Sequence, residues 1–294
     1  MIDQHTSRIV RMLVAAAVTL FFGGAAIAQQ FIYGNSAGGP SLHYIYKIDA
    51  NTGAVVKACQ MNKGNGRGIV VVGSVVYYTT ATNNNVYKTD FATCADNGIV
   101  FSVAGATSLS TMAFDGTNLW IGDYSSGSNK AFLYSTTGTL LNTITLANCT
   151  GNCDGLEFFN GKLISNDADG GSNYSIYSVT GTLQTPNFIV ATGVFATGIA
   201  FDGTNFLVSA PTTSPRTLRK YNGATGAFIQ TITITGMVAG ADQIEDLSAD
   251  YAIVIGVPPP VAPRDIPTMA GWTMILMSVL LALFGFMGLR RRMR

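Results

Sequence analysis

Acids dominate the residues of this 294-residue chain that could do chemistry. Asn166-Asp167-Ala168-Asp169-Gly170-Gly171-Ser172-Asn173 alternates oxygen-bearing side chains ahead of a glycine turn. That spacing suits Ca²⁺, which takes about six to eight oxygen ligands, with Asp167 and Asp169 as the metal ligands; the distal bidentate Glu of an EF-hand loop is missing. Glu157 and Glu245 stand at matching places in two internal repeats, where the other repeats carry Val70, Ala113 and Ala200. Two carboxylates beside one channel can share a cation or serve as acid and base, and a salt bridge or a solvated channel mouth is the plainer use of the pair. Nucleophilic chemistry has little to draw on. Once a leader is removed, His43 is the one histidine, which excludes a His-rich metal site and leaves any Ser-His-Asp triad dependent on it. Beside Tyr44 in an expected strand, it reads as a packing or surface residue. No Gly-rich phosphate loop joins a strand to a helix, and no residue is assigned a catalytic role.

These acids need a scaffold, and an internal repeat supplies it. Segments starting Gly68-Ile69-Val70, Thr111-Met112-Ala113, Gly155-Leu156-Glu157 and Gly198-Ile199-Ala200 follow one plan, with Gln243-Ile244-Glu245 as a looser fifth copy. Anchored on Ile69, Met112, Leu156, Ile199 and Ile244, the spacings are 43, 44, 43 and 45. A period of about 40 to 45 residues built from short strands marks propeller blades. Asp115-Gly116, Asn160-Gly161 and Asp202-Gly203 are hairpin dipeptides, and a second turn recurs as Asn51-Thr52-Gly53, Thr137-Gly138, Thr180-Gly181 and Ala224-Thr225-Gly226. Each unit therefore holds four antiparallel strands, and the fold expected over residues 29–256 is an all-β propeller of about five blades. Phe31 to Asn35, Leu42 to Asp49 and Ala54 to Gln60 match the last three strands of a unit whose first strand comes from Ile244 to Leu247. Ala252 to Gly256 is left over and competes with Phe31 to Gly34 for one place in a six-bladed alternative.

The tight turns share one face of such a ring, and the longer loops fall on the other. The long-loop face is expected to gather Asp123, Tyr124, Asp154, Asn166, Asp167, Asp169 and Asp242, with Arg67 as the main base and Glu157 and Glu245 near the channel. Loops on a rigid scaffold commonly carry binding residues, and Asp and Asn are also simply good loop formers. Four cysteines in an exported domain favour disulfides. Cys149 and Cys153 bracket three residues of one loop, and Cys59 and Cys94 pair by elimination. The blade plan puts Cys59 along an outer strand and Cys94 near a turn on the opposite face, at or beyond the roughly 7 Å between Cα atoms that a bridge tolerates.

Both ends of the chain read as addresses. Arg8 and Arg11 precede an apolar run from Met12 to Phe22, and Gly23 to Ala28 ends in an A-x-A pattern, so residues 1–28 form a signal peptide that signal peptidase removes after Ala28. At the other end, Pro258-Pro259-Pro260-Val261-Ala262-Pro263 lies in a stiff spacer over 257–265. Ile266, Pro267, Thr268, Met269 and Trp272 follow, within and ahead of an uncharged run of 21 residues from Met269 to Leu289, and the chain closes on Arg290-Arg291-Arg292-Met293-Arg294. About 20 apolar residues cross a bilayer, and the arginines mark the cytoplasmic side. Residues 266–294 resemble the IPTLxxWG-type C-terminal sorting signals of Gram-negative bacteria, with Met269 in place of Leu and Thr273 in place of the Gly after Trp. The resemblance implies transient anchoring in the inner membrane, processing by an exosortase-type enzyme, and residence in the envelope or at the cell surface.

Without its ends the chain changes sign. Residues 29–262 hold 10 Lys plus Arg against 14 Asp plus Glu, whereas the whole chain holds 17 against 16. Such a surface has no electrostatic footprint for phosphate backbones, which excludes nucleic acid. The function expected is an exported, envelope-sorted propeller acting as a surface binding or structural module for an unidentified ligand. The alternative is an extracytoplasmic lyase or hydrolase working from an acidic, Ca²⁺-assisted face.

Overall fold

A computed structural model describes residues 30–254 apart from 40, 126, 148, 150–152, 168–170, 192–194 and 213–214, and leaves out the side chains of 167, 171, 172 and 254. The signal peptide expected over 1–28, the spacer expected over 257–265, the sorting residues Ile266, Pro267, Thr268, Met269 and Trp272, and Asp169 lie outside the described residues.

Among the described residues, twenty strands make five four-stranded sheets. The chain starts with β1 (Phe31–Ser36), β2 (Tyr44–Asp49) and β3 (Val55–Gln60). The second blade is β4 (Gly66–Val72), β5 (Val75–Thr80), β6 (Asn85–Asp90) and β7 (Ala95–Ser102). The third is β8 (Leu109–Phe114), β9 (Asn118–Asp123), β10 (Lys130–Ser135) and β11 (Leu140–Thr145). The fourth is β12 (Cys153–Phe159), β13 (Lys162–Asp167), β14 (Gly171–Tyr177) and β15 (Leu183–Val190). The fifth is β16 (Ile199–Phe201), β17 (Asn205–Ser209), β18 (Thr217–Asn222) and β19 (Phe228–Thr233). Then β20 (Ile244–Ser248) returns to complete the first sheet in the order β20-β1-β2-β3. The described part of the leftover segment lies in a single helical turn, α1 (Tyr251–Val254), and adds no strand of a sixth blade among the described residues.

Inner strands are buried on both faces because each is wedged between two blades. Side chains alternate across the strand, so Ile69 packs with Ile45 and Tyr78 toward the first blade, while Val70 packs with Met112 and Leu119 toward the third. Outer strands such as β11 and β19 bury only Ile144 and Ile232.

Strand register corrects the fifth repeat. Ile69 lies opposite Tyr78, Met112 opposite Ile121, Leu156 opposite Ser165 and Ile199 opposite Val208. In the first blade the matching residue is Leu247, opposite Gly34, and not Ile244. A register shift at Asn35/Ser36 brings Ile244 and Leu247 into the same core cluster, so apolar pattern alone matched the wrong one. Glu245 therefore aligns with Arg67, Ser110, Asp154 and Thr197, whereas Glu157 aligns with Val70, Ala113, Ala200 and Ser248.

The seams between blades explain the cysteines. Strand twist leans each outer strand toward the turn between the third and fourth strands of the next blade. The left-handed residue of that turn is Gly53, Gly138, Gly181 or Gly226, and a Cβ there would fall 2.1 Å from Thr233 O, 2.6 Å from Phe101 Cβ, 2.4 Å from Thr145 O or 1.9 Å from Phe188 O. In the second blade the residue is Cys94, with φ 60°, and it bonds Cys59 of the preceding outer strand across 5.2 Å between Cα atoms. The pair forms, and the separation expected from untwisted strands was too large. Cys149 and Cys153 also bridge, with 5.5 Å between Cα atoms.

Replacing Cys59 and Cys94 together by Ser reopens a loop of 35 residues, which costs about 4 kcal/mol by loop-closure entropy. The expected outcome is a cooperative transition moved down by about 10 °C, read by calorimetry under non-reducing conditions. An unchanged midpoint would show that this seam needs no covalent tie.

Candidate functional site: the channel and its mouth

Each inner strand has one hydrogen-bonded neighbour, so alternate residues turn their N–H and C=O away from the sheet toward the channel. A buried N–H needs an acceptor, and side chains provide it. Ile69 N and Met112 N donate to Asp246 Oδ2 at 3.2 and 3.1 Å, and the Thr111 hydroxyl donates to the same oxygen at 2.9 Å. Leu156 N donates to Thr111 Oγ1 at 2.9 Å. Val71 N reaches Ser248 Oγ at 3.0 Å and Gly73 N reaches Asp250 Oδ1 at 2.8 Å. Asp246, Ser248 and Asp250, two residues apart, thus cap Ile69, Val71 and Gly73, also two apart. Further along the channel Glu157 accepts from Phe158 N at 2.7 Å and Phe201 N at 3.1 Å, and the Tyr251 hydroxyl of α1 donates to its Oε1. Burial pushes the Glu157 carboxyl up to about 8 and Asp246 well above the usual carboxylate range, against the pull of these donors.

The opposite end of the channel forms the mouth. Arg67, Ser110, Asp154, Thr197 and Glu245 hold one equivalent position on the five inner strands. Arg67 pairs with Glu245, and its guanidinium lies 5.2 Å from the Tyr124 ring centroid. Thr197 Oγ1 donates to Glu245 O at 2.8 Å and Ser110 Oγ donates to Cys153 O at 2.7 Å. Burial lifts Glu245 to about 7; Arg67 opposes the shift and Asp154 adds to it.

Behind the mouth, polar residues at one position of the second strands pin the inner strands. Gly68 N donates to Thr79 Oγ1 at 2.8 Å, Gly155 N to Asn166 Oδ1 at 2.7 Å and Gly198 N to Ser209 Oγ at 3.1 Å. Asn35 Nδ2 donates to Arg67 O and Gly68 O, both at 3.0 Å. His43 supports Asn35 through Nε2 and Oδ1 at 2.6 Å, and its Nδ1 meets Lys63 O. Burial lowers the His43 pKa to about 4, so it is a neutral packing residue, lying just before β2.

Of the residues expected on the binding face, the mouth brings together Tyr124, Asp154 and Glu245. Asp123 instead shapes its own loop, accepting from Ser125 N at 2.9 Å and Ser128 Oγ at 2.6 Å. Asp242 accepts from Arg216 Nε at 2.7 Å. Asp167 ends β13, paired with Cys153 and Gly171. Glu157 lies under Tyr251, apart from Glu245, so the two carboxylates do not meet. Asp246, Thr111 and Tyr251 escaped the sequence reading. The available signal was the column Gly68, Thr111, Gly155, Gly198, in which Asp246 replaces glycine once the register is right. Among the described residues, no three His, Cys, Asp or Glu side chains are grouped to hold a metal, and no helix is long and apolar enough to cross a membrane.

Residues 266–292 match the IPTL-CTERM motif, which implies processing by a sorting enzyme of the exosortase type and suggests an exported, envelope-associated protein. No curated protein matches the chain. Among solved structures, a chain of a nidogen/laminin complex is similar with a TM-score of 0.51 at 12% identity, covering 76% of this chain and 98% of that one. Glutaminyl cyclase of Myxococcus xanthus gives a TM-score of 0.46 at 15% identity, covering 58% of this chain and 71% of that one. At these identities the likeness is one of fold.

Glu157 makes stability depend on pH. Its folded pKa of about 8 exceeds its ordinary 4.5, so the folded chain keeps a proton that the unfolded chain has released. The contribution is full below about pH 4.5 and is lost as pH rises through 8, at up to ~1.4 kcal/mol per unit. Glu157→Gln should flatten the fall in Tm between about pH 5 and pH 8.5, measured by circular dichroism. An identical fall in both proteins would place the titration elsewhere.

Proposed function

We propose that this protein is an exported, envelope-sorted propeller that acts as a binding or structural module at the cell surface. The observation that carries the reading is the commitment of its chemistry-bearing residues to the ring. Glu157 and Asp246 cap inner-strand amides, His43 props Asn35, and Asp123 folds its loop. What varies from blade to blade is the long-loop face and the mouth inside it, where Tyr124, Arg67, Asp154 and Glu245 offer an aromatic ring and both signs of charge to a ligand. The described chain ends at α1, on the tight-turn face, where a Cβ on Gly73 would lie 4.0 Å from Ala252 Cβ.

The second reading, a lyase or hydrolase, draws on Glu245, whose pKa near 7 beside Arg67 suits acid–base work. Envelope glycans and peptides incubated with the purified domain separate the two. Retention with unchanged ligand mass supports the module, and new fragments abolished by Glu245→Gln support the enzyme. The Asp167 and Asp169 loop is proposed as a Ca²⁺ site. Millimolar Ca²⁺ should raise the Tm by mass action, and Asp167→Asn with Asp169→Asn should remove the rise; no Ca²⁺ response in the wild type would discard the site.

Sorting is tested in the native host. Pro267→Ala or Trp272→Ala should leave full-length protein in the inner membrane, while the wild type matures without residues 266–294. Mass spectrometry that recovers the C-terminal peptide from mature wild-type protein would overturn the processing step.

A further inference from the structure

Asp246 gives one oxygen to three donors, the main-chain N–H of Leu247 also favours its charged form, and the other oxygen makes no hydrogen bond of good geometry. Its carboxyl is buried at the level of Gly68, Thr111, Gly155 and Gly198, and Oδ1 has no hydrogen-bond partner. The glycines bring no side-chain donor, and the Thr111 hydroxyl is already given to Oδ2. The ion pairs among the described residues join Arg67 to Glu245, Arg216 to Asp242 and Lys220 to Asp202, so no Lys or Arg balances Asp246. A buried charge left without a partner costs several kcal/mol.

The strands next to it present oxygen. A residue whose N–H leaves an antiparallel ladder turns its C=O out along the same edge. Ile69, Met112 and Leu156 donate their N–H groups away from their sheets, and Phe201, two residues after Ile199, does the same. By this alternation Ile69, Met112, Leu156 and Ile199, equivalent on four of the five inner strands, turn carbonyl oxygens away from their sheets toward the channel.

We propose that the channel holds a hard monovalent cation, Na⁺ or K⁺, bound by Asp246 Oδ1 and by main-chain carbonyls of this ring. All the ligands are oxygen, which suits alkali and alkaline-earth ions over transition metals, and rings of backbone carbonyls can replace an alkali ion's hydration shell. One carboxylate balances one positive charge. The site is separate from the Asp167 and Asp169 loop and does not depend on the proposed function.

The test uses the purified domain at constant ionic strength in NaCl, KCl or choline chloride. The expected result is a Tm several degrees higher in NaCl or KCl than in choline chloride for the wild type, with no such difference in Asp246→Asn. Crystals of the wild type soaked in Tl⁺ should show an anomalous peak in the channel within bonding distance of Asp246, which decides the matter even if Asp246→Asn does not fold. Equal Tm values in the three salts with no peak would overturn the proposal and leave Asp246 protonated or bound to water. A response to Ca²⁺ alone that Asp246→Asn abolishes would overturn the monovalent assignment, and a Ca²⁺ response lost only in Asp167→Asn with Asp169→Asn would belong to the loop.

Discussion

Five strands that meet around an axis each have an edge with no neighbouring strand to bond, and the ring depends on how those edges are satisfied. The inner strands come close together at this level, since a Cβ on Gly68 would lie 2.6 Å from Met112 Cγ and one on Gly198 would lie 2.5 Å from Asp246 Cα. Side-chain acceptors do the work: Asp246, Thr111, Ser248, Asp250 and Glu157 each take at least one inner-strand amide. A carboxylate accepts several bonds at once, which is why acids accumulate where a catalytic centre would otherwise be suspected.

The two ends of the channel differ in kind. At the mouth, Arg67 and Glu245 keep some contact with solvent, at 15% and 9% side-chain exposure. At the other end Tyr251 closes over Glu157 and meets the Phe114 ring edge-on at 5.6 Å. That end buries a carboxyl whose donors are all satisfied within the ring, whereas the charges of the mouth keep some contact with solvent.

Much of this was legible in the sequence. The 43- and 44-residue spacings from Ile69 to Leu156, together with the Asp-Gly and Asn-Gly turns, identified the blades, and the unit missing its first strand pointed to closure by the segment around Ile244 to Leu247. What stayed hidden was three-dimensional in origin. A bulge has no periodicity of its own, so Ile244 was matched in place of Leu247 and Glu245 was set level with Glu157. Twist is likewise invisible to pattern, so Cys59 and Cys94 seemed far apart although the lean of an outer strand brings them together. Tyr251 was overlooked because one aromatic after the last strand carries no signal until Glu157 is found beneath it.

The ladder from β20 to β4 also has a mechanical side. Asp246, Ser248 and Asp250 grip Ile69, Val71 and Gly73 across neighbouring strands, while β20 is bonded to β1 on its other edge. A force directed along β20 loads these bonds together in shear and does not unzip them one at a time. Drag on a protein held by its C-terminal end would pass at once into the first and second blades, which the Cys59–Cys94 bond already joins. The strand that closes the ring is thereby also the one that spreads a force applied along it over two blades.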